Sequence, residues 1–149
     1  MLKKKSVLIV DDHVLFAKGF ADCLQSTSYA SYIDYCTSYE EMKIKLSHEV
    51  PDVLFLDIYV GGKDGFTICE ELLKVYKRLQ IVIVSNYASD TFVKRAKELG
   101  AQGYISKTAS PEIFKNYMYS ISSGDIKGFF SYLPTDAAIA VNGHLVLPL

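Results

Sequence analysis

Apolar residues along the chain fall into two alternating patterns. Short, almost wholly apolar runs are separated by longer stretches whose apolar positions recur every three or four residues. The first run, Ser6–Val10, stops at Asp11-Asp12, and Val14–Gln25 behind it carries Ala17, Phe20, Ala21 and Leu24 at helical spacing. Tyr32–Cys36 reads as a second strand. Ser38-Tyr39-Glu40-Glu41 then has the form of a capping box, opening a helix with Tyr39, Met42 and Leu46 on one face. The third run, Asp52–Leu56, ends at Asp57. A glycine-rich stretch, Gly61-Gly62-Lys63-Asp64-Gly65, leads from it into a helix striped with Ile68, Cys69, Leu72 and Val75. Gln80–Val84 ends at Ser85. Ser89 or Asp90 caps the next helix, whose stripe is Phe92, Val93, Ala96 and Leu99 and which Gly100 closes. Gln102–Ser106 ends at Lys107, and Ser110-Pro111 opens a last helix carrying Ile113, Phe114, Tyr117 and Ile121.

Strict strand–helix alternation with strands apolar on both faces predicts an α/β fold, a five-stranded parallel sheet covered by helices on both sides. Right-handed crossovers leave few arrangements, of which the flavodoxin-like order 2-1-3-4-5 leads. That order places a crevice at the strand C-termini, where the chain connections diverge. Here Asp11, Asp12 and Asp57 line it, with Ser85 and Lys107 arriving from neighbouring strand ends. Beyond about Asp125 the pattern stops: the tail to Leu149 is apolar with no helical or strand period. The expected organisation is one domain over 1–124 and an apolar C-terminal extension or truncated linker over 125–149, with no DNA-binding domain.

A length of 149 residues suits one globular domain, and a net charge of −1 points away from nucleic acid and membrane surfaces. The basic start Met1-Leu2-Lys3-Lys4-Lys5 resembles a signal peptide only until Asp11, because the apolar run behind it is too short. No run approaches the roughly 20 apolar residues of a membrane span. Cys23, Cys36 and Cys69 are odd in number and lack metal-like spacing, so they read as buried free thiols of a cytoplasmic protein.

The strand-end residues are complementary in type. Three carboxylates converging on one crevice repel each other, and a hard, oxygen-seeking divalent cation relieves that repulsion. An ionised Asp is a competent nucleophile toward a phosphoryl group without a general base. Phosphoryl transfer then needs mainly positioning and neutralised oxygens, which Lys107 and the Ser85 hydroxyl can supply. Asp57 ends the most central strand, the natural place for the acceptor.

Asp11-Asp12, Asp57, Ser85, Tyr104 and Lys107, at these spacings, resemble the receiver domain of bacterial two-component response regulators (the CheY-like fold). The resemblance covers roughly residues 5 to 124. Asp11-Asp12-His13 and Lys107-Thr108-Ala109-Ser110-Pro111-Glu112 are most similar to receivers that precede a LuxR-type helix-turn-helix. The resemblance implies a phosphoacceptor signalling module rather than an enzyme, with Asp57 taking phosphate from a sensor histidine kinase. It implies Mg²⁺ held directly by Asp12 and Asp57, through water by Asp11, and by the backbone carbonyl of Tyr59. Ser85 and Lys107 would contact the phosphoryl group, and Tyr104 would be an aromatic switch that swings inward when Ser85 moves. The fourth helix, fifth strand and fifth helix would form the output surface, with a homodimer and transcriptional control as the expected consequence. The chain is then a truncated regulator or a free-standing receiver, and binds no nucleic acid itself.

Departures from the family pattern carry their own expectations. Gly61 stands where the family often has Pro, which predicts a looser loop, and Ser85 replaces the commoner Thr. Tyr59 and Tyr87, two past the acceptor and two past the switch hydroxyl, would screen the acyl phosphate and slow its hydrolysis. His13 is expected to start the first helix facing away from the site. The apolar tail is expected to pack on its own domain or on a second copy. A haloacid-dehalogenase-type phosphatase would need Asp where Tyr59 stands. A flavodoxin-like cofactor binder would need a hydroxyl-rich loop where Asp11-Asp12 stands.

Overall fold

The computed structural model describes residues 3–87 and 89–123, together with the backbone of 129–131, 139–141 and 144–146. Its parallel strands are β1 (Lys5–Val10), β2 (Ala30–Cys36), β3 (Val53–Asp57), β4 (Gln80–Ser85) and β5 (Gly103–Ser106). The helices between and after them are α1 (Val14–Gln25), α2 (Tyr39–His48), α3 (Gly65–Val75), α4 (Asp90–Leu99) and α5 (Pro111–Ser123). The strands pair in the order β2-β1-β3-β4-β5, the flavodoxin-like arrangement.

Alternation along each strand sends neighbouring side chains to opposite faces. Leu8, Val10, Leu54, Leu56, Ile81 and Ile83 meet Met42 and Leu46 of α2, Phe66, Ile68, Cys69 and Leu72 of α3, and Val93 and Ala96 of α4. Val7, Ile9, Val53, Phe55, Val82, Val84 and Ile105 meet Ala17, Phe20 and Leu24 of α1 and the apolar stripe of α5. Both faces are therefore dry, which is why these strands read as continuous apolar runs rather than alternating ones.

Register aligns the strand ends. Val10 lies opposite both Cys36 and Leu56, Asp57 opposite Val84, and Ser85 opposite Ser106. The residues that follow these positions reach the same rim of the sheet.

Three details differ from the sequence expectation. The tail forms strands: β6 (Phe129–Ser131) runs parallel beside Gly103–Ile105, and β7 (Ile139–Val141) and β8 (His144–Val146) add antiparallel pairs. β5 is thus an interior strand. The pairing draws on backbone groups, which leave no mark in an apolar pattern. The tail's side chains, Leu147 among them, lie outside the described residues. At α2, Ser38 Oγ accepts from Glu41 N at 3.1 Å, but Glu41 Oε1 accepts from the backbone N and hydroxyl of Thr37, not from Ser38. The glycine-rich stretch is no loose loop. Tyr59–Val60 and Lys63–Asp64 form a small antiparallel ribbon, turned at Gly61 (φ 56) and Gly62 (φ 83). Positive φ at both turn residues suits a tight hairpin and excludes most side chains.

Candidate functional site

The rim of the sheet gathers charged side chains from three strand ends. Asp11, at the end of β1, is 1% exposed, and Asp57, the last residue of β3, is 5% exposed. Lys107 follows β5, and its backbone N–H donates to the Ser85 carbonyl at 2.9 Å, which ties its position to the end of β4. Its ammonium stands 2.8 Å from Asp11 Oδ2 and donates to Asp57 Oδ2 at 3.1 Å, while lying over the Phe16 ring at 4.8 Å. Burial, and next the nearby Asp11 carboxylate, push the Asp57 carboxyl above its usual range; Lys107 pulls it back. Asp12 sits at the mouth, and its Oδ2 accepts from Gly61 N at 3.0 Å, which joins the hairpin to the cluster.

His13 corrects the expectation that it faces away. Its backbone N–H donates to Asp11 Oδ1 at 2.8 Å, and that turn carries the ring over the carboxylates. Its Nδ1 lies 3.1 Å from Asp11 Oδ1, 3.4 Å from Asp12 Oδ1, 3.5 Å from Asp57 Oδ2 and 3.1 Å from Lys107 Nζ. Carboxylates and the Lys107 ammonium both lie within reach of Nδ1, so either tautomer of the ring finds a partner there.

Gly65 is a site residue that sequence reading took only as the entry to α3. A Cβ there would stand 2.2 Å from the Asp57 carbonyl oxygen and 2.7 Å from Ile58 Cα. Its N–H donates to the Ile58 carbonyl at 2.6 Å. The first turn of α3 therefore lies directly against the backbone that carries Asp57. Only a side-chain-free residue permits this, and the Gly after Asp64 was the available signal.

Ser85 and Tyr104 converge on one peptide segment rather than on the charged cluster. Ser85 Oγ accepts from Tyr87 N at 2.9 Å, and the Tyr104 hydroxyl donates to the Tyr87 carbonyl. Both residues are fully buried, and burial raises the Tyr104 phenol above its ordinary range. Tyr59, in the ribbon, is 58% exposed, and Tyr87, in the segment after β4, is 62% exposed with its ring edge-on to Phe92.

The donor set fits a divalent cation. One oxygen each from Asp11, Asp12 and Asp57 and a nitrogen of His13 lie within 4.8 Å of one another. Buried Asp11 Oδ2 is paired with the Lys107 ammonium at 2.8 Å, an ammonium that Asp57 Oδ2 shares at 3.1 Å. Three carboxylates outnumber that ammonium, which leaves negative charge for a further cation to offset.

A family profile described as the response regulator receiver domain matches residues 7–118, well over half of the chain. The chain belongs to the response regulator receiver family. This receiver is a signalling module of two-component systems, and its relatives include transcriptional regulators. It is 28% identical over 131 residues to the transcriptional regulatory protein ComA of Bacillus subtilis, which covers 86% of this chain and 61% of ComA. It is 30% identical over 101 residues to the DNA-binding transcriptional activator DevR/DosR of Mycobacterium tuberculosis, which covers 68% of this chain and 46% of that protein. The receiver spans about half the length of most of these curated relatives. In fold it resembles the isolated receiver domain of RcsB from Salmonella enterica serovar Typhimurium. The TM-score is 0.76 at 18% identity, covering 86% of this chain and 94% of that one. Among the described residues no helix is long and apolar enough to cross a membrane.

Proposed function

We propose that the chain is a phosphorylation-controlled receiver whose Asp57 accepts a phosphoryl group from the phosphohistidine of a sensor histidine kinase. The observation that carries this reading is a buried, ionisable Asp57 at the end of the central strand, held 3.1 Å from an ammonium and beside a second buried carboxylate. An Asp57 carboxylate oxygen attacks phosphorus, the phosphorus–nitrogen bond of the donor breaks, and the electron pair leaves on the donor imidazole. Lys107 faces the same side and neutralises one phosphoryl oxygen, while the Ser85 hydroxyl serves a second. Asp11, Asp12, Asp57 and the Tyr59 backbone carbonyl would hold Mg²⁺. When bound, Mg²⁺ supplies positive charge against the carboxylates' repulsion and the phosphoryl oxygens.

The response follows from a shared partner. Ser85 holds the Tyr87 N–H and Tyr104 holds the Tyr87 carbonyl, so a phosphoryl group that draws the Ser85 hydroxyl away loosens one of the two bonds that fix residue 87. Tyr104 sits on β5 and Tyr87 precedes α4. The exchange therefore biases α4, β5 and α5, the proposed output and homodimer surface, toward a second arrangement. Because the tail runs beside β5, that surface includes β6.

The test is incubation of the protein with acetyl phosphate and Mg²⁺, followed by intact mass, beside an Asp57→Asn variant. One added phosphoryl group on the native protein and none on the variant is the expected result. Native mass on the same samples reports dimerisation. Phosphorylation that persists in Asp57→Asn removes the reading.

A further inference from the structure

Resting on the divalent-cation site proposed above, we infer that His13 is a further protein ligand, and that it tunes the site toward first-row transition ions such as Ni²⁺ relative to Mg²⁺. The inference stands on the position of one ring nitrogen. Nδ1 lies 3.1, 3.4 and 3.5 Å from oxygens of Asp11, Asp12 and Asp57. Neighbouring donors around an octahedral ion with bonds of 2.0–2.1 Å stand about 3 Å apart. The nitrogen therefore occupies one corner of the same coordination polyhedron as the three carboxylates, with only small adjustment.

Chemistry gives that corner its consequence. An all-oxygen set of carboxylates, a carbonyl and water suits Mg²⁺, which holds imidazole poorly. A mixed set with one imidazole favours ions that accept nitrogen, in the rising order Mn²⁺, Fe²⁺, Co²⁺, Ni²⁺. The ring is free to serve: its side chain is 64% exposed and caps no helix, so the fold does not depend on it. Lys107 Nζ, 3.1 Å away, contends for the same lone pair, but it retains Asp11 and Asp57 as partners when the ring turns to a cation.

The contrary possibility is that the ring stands where the cation would go, as a charge substitute rather than a ligand. The two predict opposite effects of removal. Wild-type protein and His13→Ala are titrated separately with Mg²⁺ and with Ni²⁺ by calorimetry, after circular dichroism shows the variant folded. A ligand role predicts that Ni²⁺ affinity falls roughly tenfold or more in His13→Ala, whereas Mg²⁺ affinity changes by about threefold or less. Mn²⁺-loaded wild type should show imidazole-nitrogen coupling in pulsed electron paramagnetic resonance, and the variant none. Tighter binding of both ions by His13→Ala, or no nitrogen coupling in the wild type, overturns the inference. If neither protein binds any divalent ion, the proposed function itself fails. If Mg²⁺ binds and supports Asp57 phosphorylation but the nitrogen coupling is absent, only the role of His13 fails.

Discussion

Replacing Lys107 by Met keeps the length of the side chain and removes the one ammonium between two buried carboxylates. At an effective dielectric of 20, charges 2.8 and 3.1 Å apart attract by about 5–6 kcal/mol per pair, before the ammonium's own desolvation is subtracted. Breaking a buried ion pair from one side typically costs about 3–5 kcal/mol, since the remaining charge is stranded. The open mouth at His13 favours the lower end, so Lys107→Met should lose about 3 kcal/mol and some 10 °C in Tm at pH 7.5 without divalent ions. Two controls separate this cause from lost packing. Added Mg²⁺ should raise Tm more in the variant than in the wild type, because a bound cation replaces the missing charge. Acid should also shrink the deficit. Asp57 has a folded pKa above its ordinary 3.8, so folding favours its protonated form. Its contribution is present below 3.8 and is lost as pH rises through the raised value. Without Lys107 that pKa climbs further, so the variant gains relative to the wild type as pH falls. Thermal unfolding by circular dichroism over this grid of pH and Mg²⁺ is the assay. A deficit below about 1 kcal/mol, or equal Mg²⁺ increments in both proteins, would refute the electrostatic account.

Other expectations follow from the same geometry. Gly65→Ala should cost several kcal/mol and abolish phosphorylation, since its Cβ would stand 2.2 Å from the Asp57 carbonyl; Gly19→Ala, with nothing within 4 Å, should instead stabilise α1 by about 0.5–1 kcal/mol, both read by urea denaturation. Burial pushes the Cys36 and Cys69 thiols up to about 12, so neither should react with a thiol reagent at pH 8 in the native protein, and partly exposed Cys23 should be labelled first, as peptide mapping would show. Those raised thiol values also make stability fall as pH rises from 9 toward 12, because the unfolded chain loses those protons first. Tyr104→Phe removes a buried hydroxyl bond to the Tyr87 carbonyl and should cost about 1–2 kcal/mol while weakening phosphorylation-dependent dimerisation, checked by thermal unfolding and native mass. Replacing Tyr59 and Tyr87 with small polar residues should shorten the acyl-phosphate lifetime; a half-life of seconds in the unaltered protein would contradict their screening role.

Local pattern was enough for the strands, the helices and the row of polar residues at strand ends. Ser6–Val10 before Asp11-Asp12, Asp52–Leu56 before Asp57 and Gln102–Ser106 before Lys107 each announce a buried strand emerging into a polar rim. Those transitions follow from nearest-neighbour periodicity and burial, which a chain carries at short range. What needed the folded molecule was the direction of groups whose partners are distant in sequence. His13 turns inward on a local bond to Asp11, but the cluster it meets is completed by Asp57 and Lys107, 44 and 94 residues away by number, which no periodicity of α1 encodes. Gly65 matters because α3 returns against the backbone of Asp57 and Ile58, a contact between elements rather than within one. The tail joins the sheet through backbone pairing at β5, which apolar side chains alone do not signal. Electrostatic and backbone contacts act across space, so only the tertiary structure decides them.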